Sequence, residues 1–96
     1  MPQIFRANTD ISTGHCYGPK PCLIGSPDVF VNNKPVVRIG DNYSQTHTCG
    51  DDTHVMGPAA TGSSTVLVNN KGVHRTGDLV QCGDIAGIGS PDVFAN

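Results

Sequence analysis

Little in this chain can build a large hydrophobic core. Its 96 residues hold no Trp, three Phe and two Tyr, and a chain of that length buries only a modest share of its surface. Charge is equally sparse. Six Lys and Arg stand against eight Asp and Glu, for a net −2, so there is no basic stripe and no electrostatic footprint for nucleic acid. No apolar run approaches the ~20 residues that span a bilayer. The first residues, MPQIFRANTD, lack a basic region followed by an apolar one, so no signal peptide is expected and synthesis is placed in the cytoplasm.

What the chain does have is punctuation. Twelve glycines and seven prolines argue against long helices and for turns joined by short strands. A single small domain over residues 1–96 built this way needs an added staple. Four cysteines and four histidines are available for one. Two disulfides are possible, including a short-range Cys16–Cys22 bridge. In a chain made in the cytoplasm, however, cysteines mixed with histidines lean toward a metal, and Cys16 and Cys22 are expected as free thiols.

Internal repetition narrows the fold. Residues 25–41, GSPDVFVNNKPVVRIGD, align without a gap to residues 62–78, GSSTVLVNNKGVHRTGD. Residues 89–96, GSPDVFAN, repeat the first half again, and residues 2–10, PQIFRANTD, line up loosely with the second half through Arg6, Arg38 and Arg75. One of three copies is thus split between the two ends. This pattern predicts a mainly β fold, a closed ring of three units built from short hairpins, with a pseudo-threefold repeat closed by pairing of the N- and C-terminal strands. Within a copy, two β-branched strands flank an Asn-Asn turn, because asparagine tolerates the positive φ of tight hairpins. Alternation sets Val29 and Val31 on one face and Phe30 on the other, with Val66, Val68 and Leu67 following suit.

Candidate ligands fall at related points of the repeat. His15 lies nine residues after Arg6, His47 nine after Arg38, and Cys82 seven after Arg75. His54 leaves the same polar loop as His47, in the stretch HTCGDDTH, and offers a fourth donor. Three imidazoles and a thiolate form a complete tetrahedral set suited to Zn²⁺, closed in the manner of a structural site. Cys49 is the substitute should one histidine not bind. Cys16 adjoins His15, and neighbours rarely both point inward. His74, opposite Val37 in the alignment, reads as a strand-surface histidine. Asp51 and Asp52 are candidate acceptors for a ligating imidazole, or solvated turn carboxylates.

Taken together, GSPDVFVNN, the Arg-Ile-Gly-Asp and Arg-Thr-Gly-Asp repeat ends, GHCYGP at 14–19, HTCGDDTH and QCGD at 81–84 resemble the PAAR-domain proteins. These are the metal-capped spike tips of type VI secretion systems and contractile phage tails. The eponymous Pro-Ala-Ala-Arg is replaced here by Pro35-Val36-Val37-Arg38 and Gly72-Val73-His74-Arg75. The resemblance implies a zinc-tipped cone in which His15, His47, His54 and Cys82 match the family's three-histidine, one-cysteine ligands. It also implies a partner, a trimeric valine-glycine repeat spike or its phage counterpart, capped by one copy of this chain per trimer. Effectors are implied as further partners and the target membrane as a transient one. With hardly a residue outside the copies, no extension or effector domain is expected.

The function so implied is a non-enzymatic, membrane-piercing tip delivered outward by an injection machine or carried on a virion. Two rivals follow from the same residues. One is a small zinc hydrolase with His15, His47 and His54 as ligands and Asp51 or Asp52 as base, against which Cys82 offers to close the site. The other is a secreted binding module stapled through Cys16, Cys22, Cys49 and Cys82.

Overall fold

A computed structural model describes residues 1–96, and it contains strands, bridges and turns but no helix. Three short antiparallel hairpins carry the regular structure: β1 (Phe30–Val31) with β2 (Lys34–Pro35), β3 (Thr46–Cys49) with β4 (Asp52–Val55), and β5 (Leu67–Val68) with β6 (Lys71–Gly72). The first and third turn through the Asn pairs read from the sequence. Asn32 and Asn33 have φ of 54° and 65°, and Asn69 and Asn70 have 53° and 65°, the left-handed pair that a two-residue hairpin requires. Phe30 and Leu67 point outward, while Val29, Val31, Val66 and Val68 pack inward, as the alternation predicts.

The three copies are laced together by a pattern that returns to its start. The residues preceding the shared arginines are Phe5, Val37 and His74, all fully buried. Val37 N–H donates to the Phe5 carbonyl at 3.1 Å, His74 N–H to Val37 at 2.9 Å, and Phe5 N–H to His74 at 3.0 Å. Antiparallel bridges follow the same circuit, with Arg6 opposite Val36, Arg38 opposite Val73, and Arg75 opposite Ile4. A closed circuit leaves none of these segments as an exposed edge.

The chain ends meet as the split copy requires. Gln3 bridges Phe94, Ile4 N–H donates to the Val93 carbonyl at 3.0 Å, and Ala95 N–H donates to Pro2 at 3.0 Å. The glycine opening each copy is needed for close approach: a Cβ at Gly62 would stand 2.6 Å from the Val73 carbonyl oxygen, and one at Gly25 3.0 Å from that of Val36.

Each shared arginine forks onto an aspartate in its own turn. Arg38 donates from Nε and Nη2 to the two oxygens of Asp41 at 2.9 and 2.8 Å, and its amide donates at 2.8 Å. Arg6 with Asp10 and Arg75 with Asp78 repeat the arrangement. Two-point contact of this kind fixes orientation as well as charge. Asparagines of the hairpin turns then link one copy to another. Arg38 donates to Asn69 at 2.8 Å, and Arg6 donates to Asn32 at 3.0 Å. Asn69 in turn donates to Asp28, and Asn32 to Asp92.

Two apolar clusters lie along a body of 38 × 23 × 21 Å. Ile4, Val36, Val73 and Ala95 sit beneath the Asn-turn hairpins. Phe5, Ala7, Cys22, Val37, Tyr43, Met56, Ala59, Val80 and Ala86 continue the core, with Cys82 against them. His74 corrects the sequence reading. It is not on a strand surface but in the interior, where Nδ1 donates to the Thr61 carbonyl at 2.8 Å and Nε2 accepts from the Tyr43 hydroxyl at 3.0 Å. Those two bonds allow an imidazole to occupy the position that Val37 and Phe5 fill with carbon.

Candidate metal centre

The stretch HTCGDDTH is not the polar loop expected from the sequence. It forms the longest hairpin of the molecule, β3–β4, turning at Gly50 and Asp51, with Gly50 at φ +60°. Its register sets His47 directly opposite His54, and side chains so paired leave the same face of the ribbon as near neighbours. The two Nε2 atoms lie 2.6 Å apart. His47 is buried, and its Nδ1 donates to the Gly18 carbonyl at 2.9 Å. A carbonyl only accepts, so that bond fixes the proton on Nδ1 and leaves Nε2 with its lone pair facing inward.

The other two donors arrive from the two remaining turns. Cys82 Sγ stands 3.7 Å from His47 Nε2. The His15 ring lies 5.2 Å from that of His47 and 5.4 Å from that of His54, and its Nε2 is buried without a hydrogen-bond partner. One donor atom from each of His15, His47, His54 and Cys82 falls within 4.8 Å of every other. A tetrahedron with ordinary Zn–N and Zn–S bonds has edges of ~3.3–3.6 Å. The 2.6 and 3.7 Å separations fall on either side of that range, and the orphaned Nε2 with the mixture of imidazole and thiol suits a divalent ion of borderline softness. All four residues singled out from the sequence are brought together here.

A ring missed by sequence reasoning covers the cluster. Tyr17 stacks on His54 at 3.9 Å between centroids and 21° between planes, and lies 5.0 Å from His47 and 4.9 Å from His15. Its hydroxyl donates to Asp52, and that hydrogen bond raises the phenol's pKa above its ordinary value. Asp52 therefore holds the covering tyrosine and not a ligating histidine, and Asp51 is exposed at the turn. The buried carboxylate at the cluster is Asp84, 4.0 Å from His47 Nδ1. Its signal was the shared tripeptide Cys-Gly-Asp, which occurs at 49–51 and again at 82–84.

The cysteines are sorted differently from the sequence expectation. Cys16 and Cys49 form a disulfide, with Cα atoms 5.3 Å apart. Cys16 is thus neither a free thiol nor a partner of Cys22, and Cys49 is withdrawn as a substitute ligand. The bridge ties the residue after His15 to the end of β3, two residues from His47, so it joins two segments that carry candidate donors. Cys22 and Cys82 are free. Cys22 is wholly buried in the core, where burial pushes its thiol up to about 12. Cys82 is partly exposed beside the histidines.

Residues 49–96 match the PAAR motif. That half contains His54 and Cys82, while His15 and His47 come from outside it and are set beside them by the fold. Among curated proteins, none matches the chain.

Proposed function

The chain belongs to the PAAR-motif family, and on that ground we propose that it is a non-enzymatic structural tip, one copy of which caps the blunt end of a trimeric β-helical spike in a contractile injection machine. The observation that carries this reading is the closed circuit through Phe5, Val37 and His74. A monomer whose backbone repeats in three steps offers a threefold partner three related faces at once, without the open-ended growth that a mismatched interface invites. Exposed Phe30, Leu67 and Phe94, at the same position of each copy, supply related apolar contacts for such a partner.

The metal belongs to the same reading. His15, His47, His54 and Cys82 hold one structural zinc near the apex, where converging turns leave too few side chains to pack. Structural zinc contributes ~10–16 kcal/mol of apparent binding free energy in small sites, comparable to the whole stability of a domain. The Cys16–Cys49 disulfide reinforces the same point of the chain. Made in the cytoplasm and carried outward, the protein would meet both a compartment that keeps Cys82 reduced and one that favours the bridge. A hydrolytic zinc needs an open position for water. Here Cys82 supplies the fourth donor and Tyr17 covers the histidines. A module stapled by two disulfides is not favoured either, since Cys22 and Cys82 are free.

The test is stoichiometric. Calibrated light scattering should find a monomer in isolation and one chain per trimer once the spike of its own injection machine is added. A stable homotrimer without the spike, or three chains bound per trimer, would overturn the proposal.

A further inference from the structure

The turn that delivers Cys82 also delivers an acid that the four donors do not explain. Asp84 is fully buried. Its Oδ1 accepts from the amides of Gly14 at 2.8 Å and Ile85 at 2.7 Å, and from the Thr13 hydroxyl at 3.4 Å. Its Oδ2 has no hydrogen-bond partner and faces His47 Nδ1 at 4.0 Å. Burying a carboxylate oxygen without a donor is costly unless positive charge lies close by. No arginine supplies it, because Arg6, Arg38 and Arg75 are committed to Asp10, Asp41 and Asp78. The His47 proton does not supply it either, being donated to Gly18.

We propose that Asp84 is the outer carboxylate of the metal centre, balancing the charge of the divalent ion through the His47 ring and locking the His15 segment to the Cys82 turn. The charges support the assignment. With the metal bound, three neutral imidazoles, one thiolate and one carboxylate carry −2, which matches a divalent cation at a site of one buried and three half-buried donors. The two oxygens divide the work: Oδ1 holds the amide next to His15, and Oδ2 faces the ligand whose tautomer is already fixed. Outer carboxylates of this kind commonly change metal affinity 10–100-fold. The inference rests on the metal-binding reading given above.

The experiment compares the wild-type chain with Asp84→Asn, which keeps an oxygen for Gly14 but loses the charge, and with Asp84→Ala. Zinc affinity is read by competition with a chromophoric chelator, and melting temperature is read in both zinc-loaded and zinc-free protein. Asp84→Asn should bind zinc about 10–100-fold more weakly, while its zinc-free form melts no lower than wild type because an unpaired buried charge has been removed. Asp84→Ala should lose the Gly14 contact as well and melt lower in both forms. Zinc affinity within twofold of wild type for Asp84→Asn would overturn the proposal. So would an equal loss of stability in its two forms, including failure to fold, since either marks a cap with no part in charge balance. A wild-type chain that takes up no zinc would instead overturn the metal reading itself, and this assignment with it.

Discussion

The amide of Phe5 donates to the carbonyl of His74 at 3.0 Å, and the Phe5 ring meets the His74 imidazole edge-on at 5.4 Å. The N-terminal segment is therefore built into the centre of the molecule, and the C-terminal segment pairs with the residues just before Phe5. Ser90 N–H donates to the Ile4 carbonyl, and Ile4 N–H donates to Val93. Deleting residues 89–96 should strip Gln3 and Ile4 of that support, expose an apolar edge and displace His15 downstream. We expect the truncated chain to be poorly soluble or to hold zinc weakly, read by soluble yield and metal content. A folded monomer with a full complement of zinc would mean that the terminal pairing is dispensable.

Thiol titration in denaturant without reductant should find two reactive cysteines, Cys22 and Cys82, rising to four after reduction. Peptide mapping should place the bridge between Cys16 and Cys49. Replacing both with Ala should lower unfolding free energy by about 3–4 kcal/mol, the chain entropy that a bridge across such a loop removes. Urea denaturation measures this. A bridge mapped to Cys16 and Cys22 would contradict the structure.

Cys82→Ser should weaken zinc retention strongly, because the thiolate is lost from the donor set. Cys22→Ser should leave retention unchanged, since Cys22 lies in the core and its thiol donates to the Ile24 carbonyl at 3.2 Å. Equal losses from the two variants, measured by chelator competition, would show that the wrong cysteine has been assigned.

Burial lowers the pKa of His74 below that of a free imidazole, outweighing its hydrogen bond to Thr61. The unfolded chain takes up this proton near pH ~6.5, while the folded chain resists it. The stability His74 contributes is thus intact above about pH 6.5 and is lost as pH falls toward its lowered folded value. His74→Gln should cost about 1–3 kcal/mol at pH 7.5, with the gap to wild type narrowing at pH 5.5. Urea unfolding of both chains at the two pH values checks this, and the cluster histidines, common to both, cancel in the difference. A gap that widens on acidification would reverse the sign of the argument.

Much of the arrangement was legible because repetition fixes positions. The Asn turns, the inward valines, the pairing of the chain ends and the convergence of His15, His47 and Cys82 follow from aligning three copies, and His54 from the stretch it shares with His47. What escaped lies where local chemistry departs from the repeat. The β3–β4 hairpin sits between copies, and its signal was the Gly50-Asp51 turn between Thr-His and Thr-His, which polar composition obscured. His74 read as exposed because imidazole is polar, although its alignment with Val37 already marked a buried position. Disulfide connectivity depends on which turns meet in space, and spacing alone does not give Cys16 with Cys49. Asp51 and Asp52 lie closer to the histidines in sequence, whereas Asp84, from a separate turn, is the carboxylate that the fold buries beside His47.

The proposed staple of the fold is one metal ion where the β3–β4 hairpin meets the His15 and Cys82 segments. Elemental analysis of the purified full chain, paired with a protein concentration from amino-acid analysis, tests that most directly. The expected result is one zinc per chain, released by chelator together with a fall in melting temperature. Absence of zinc, or iron in its place at full occupancy, would contradict it.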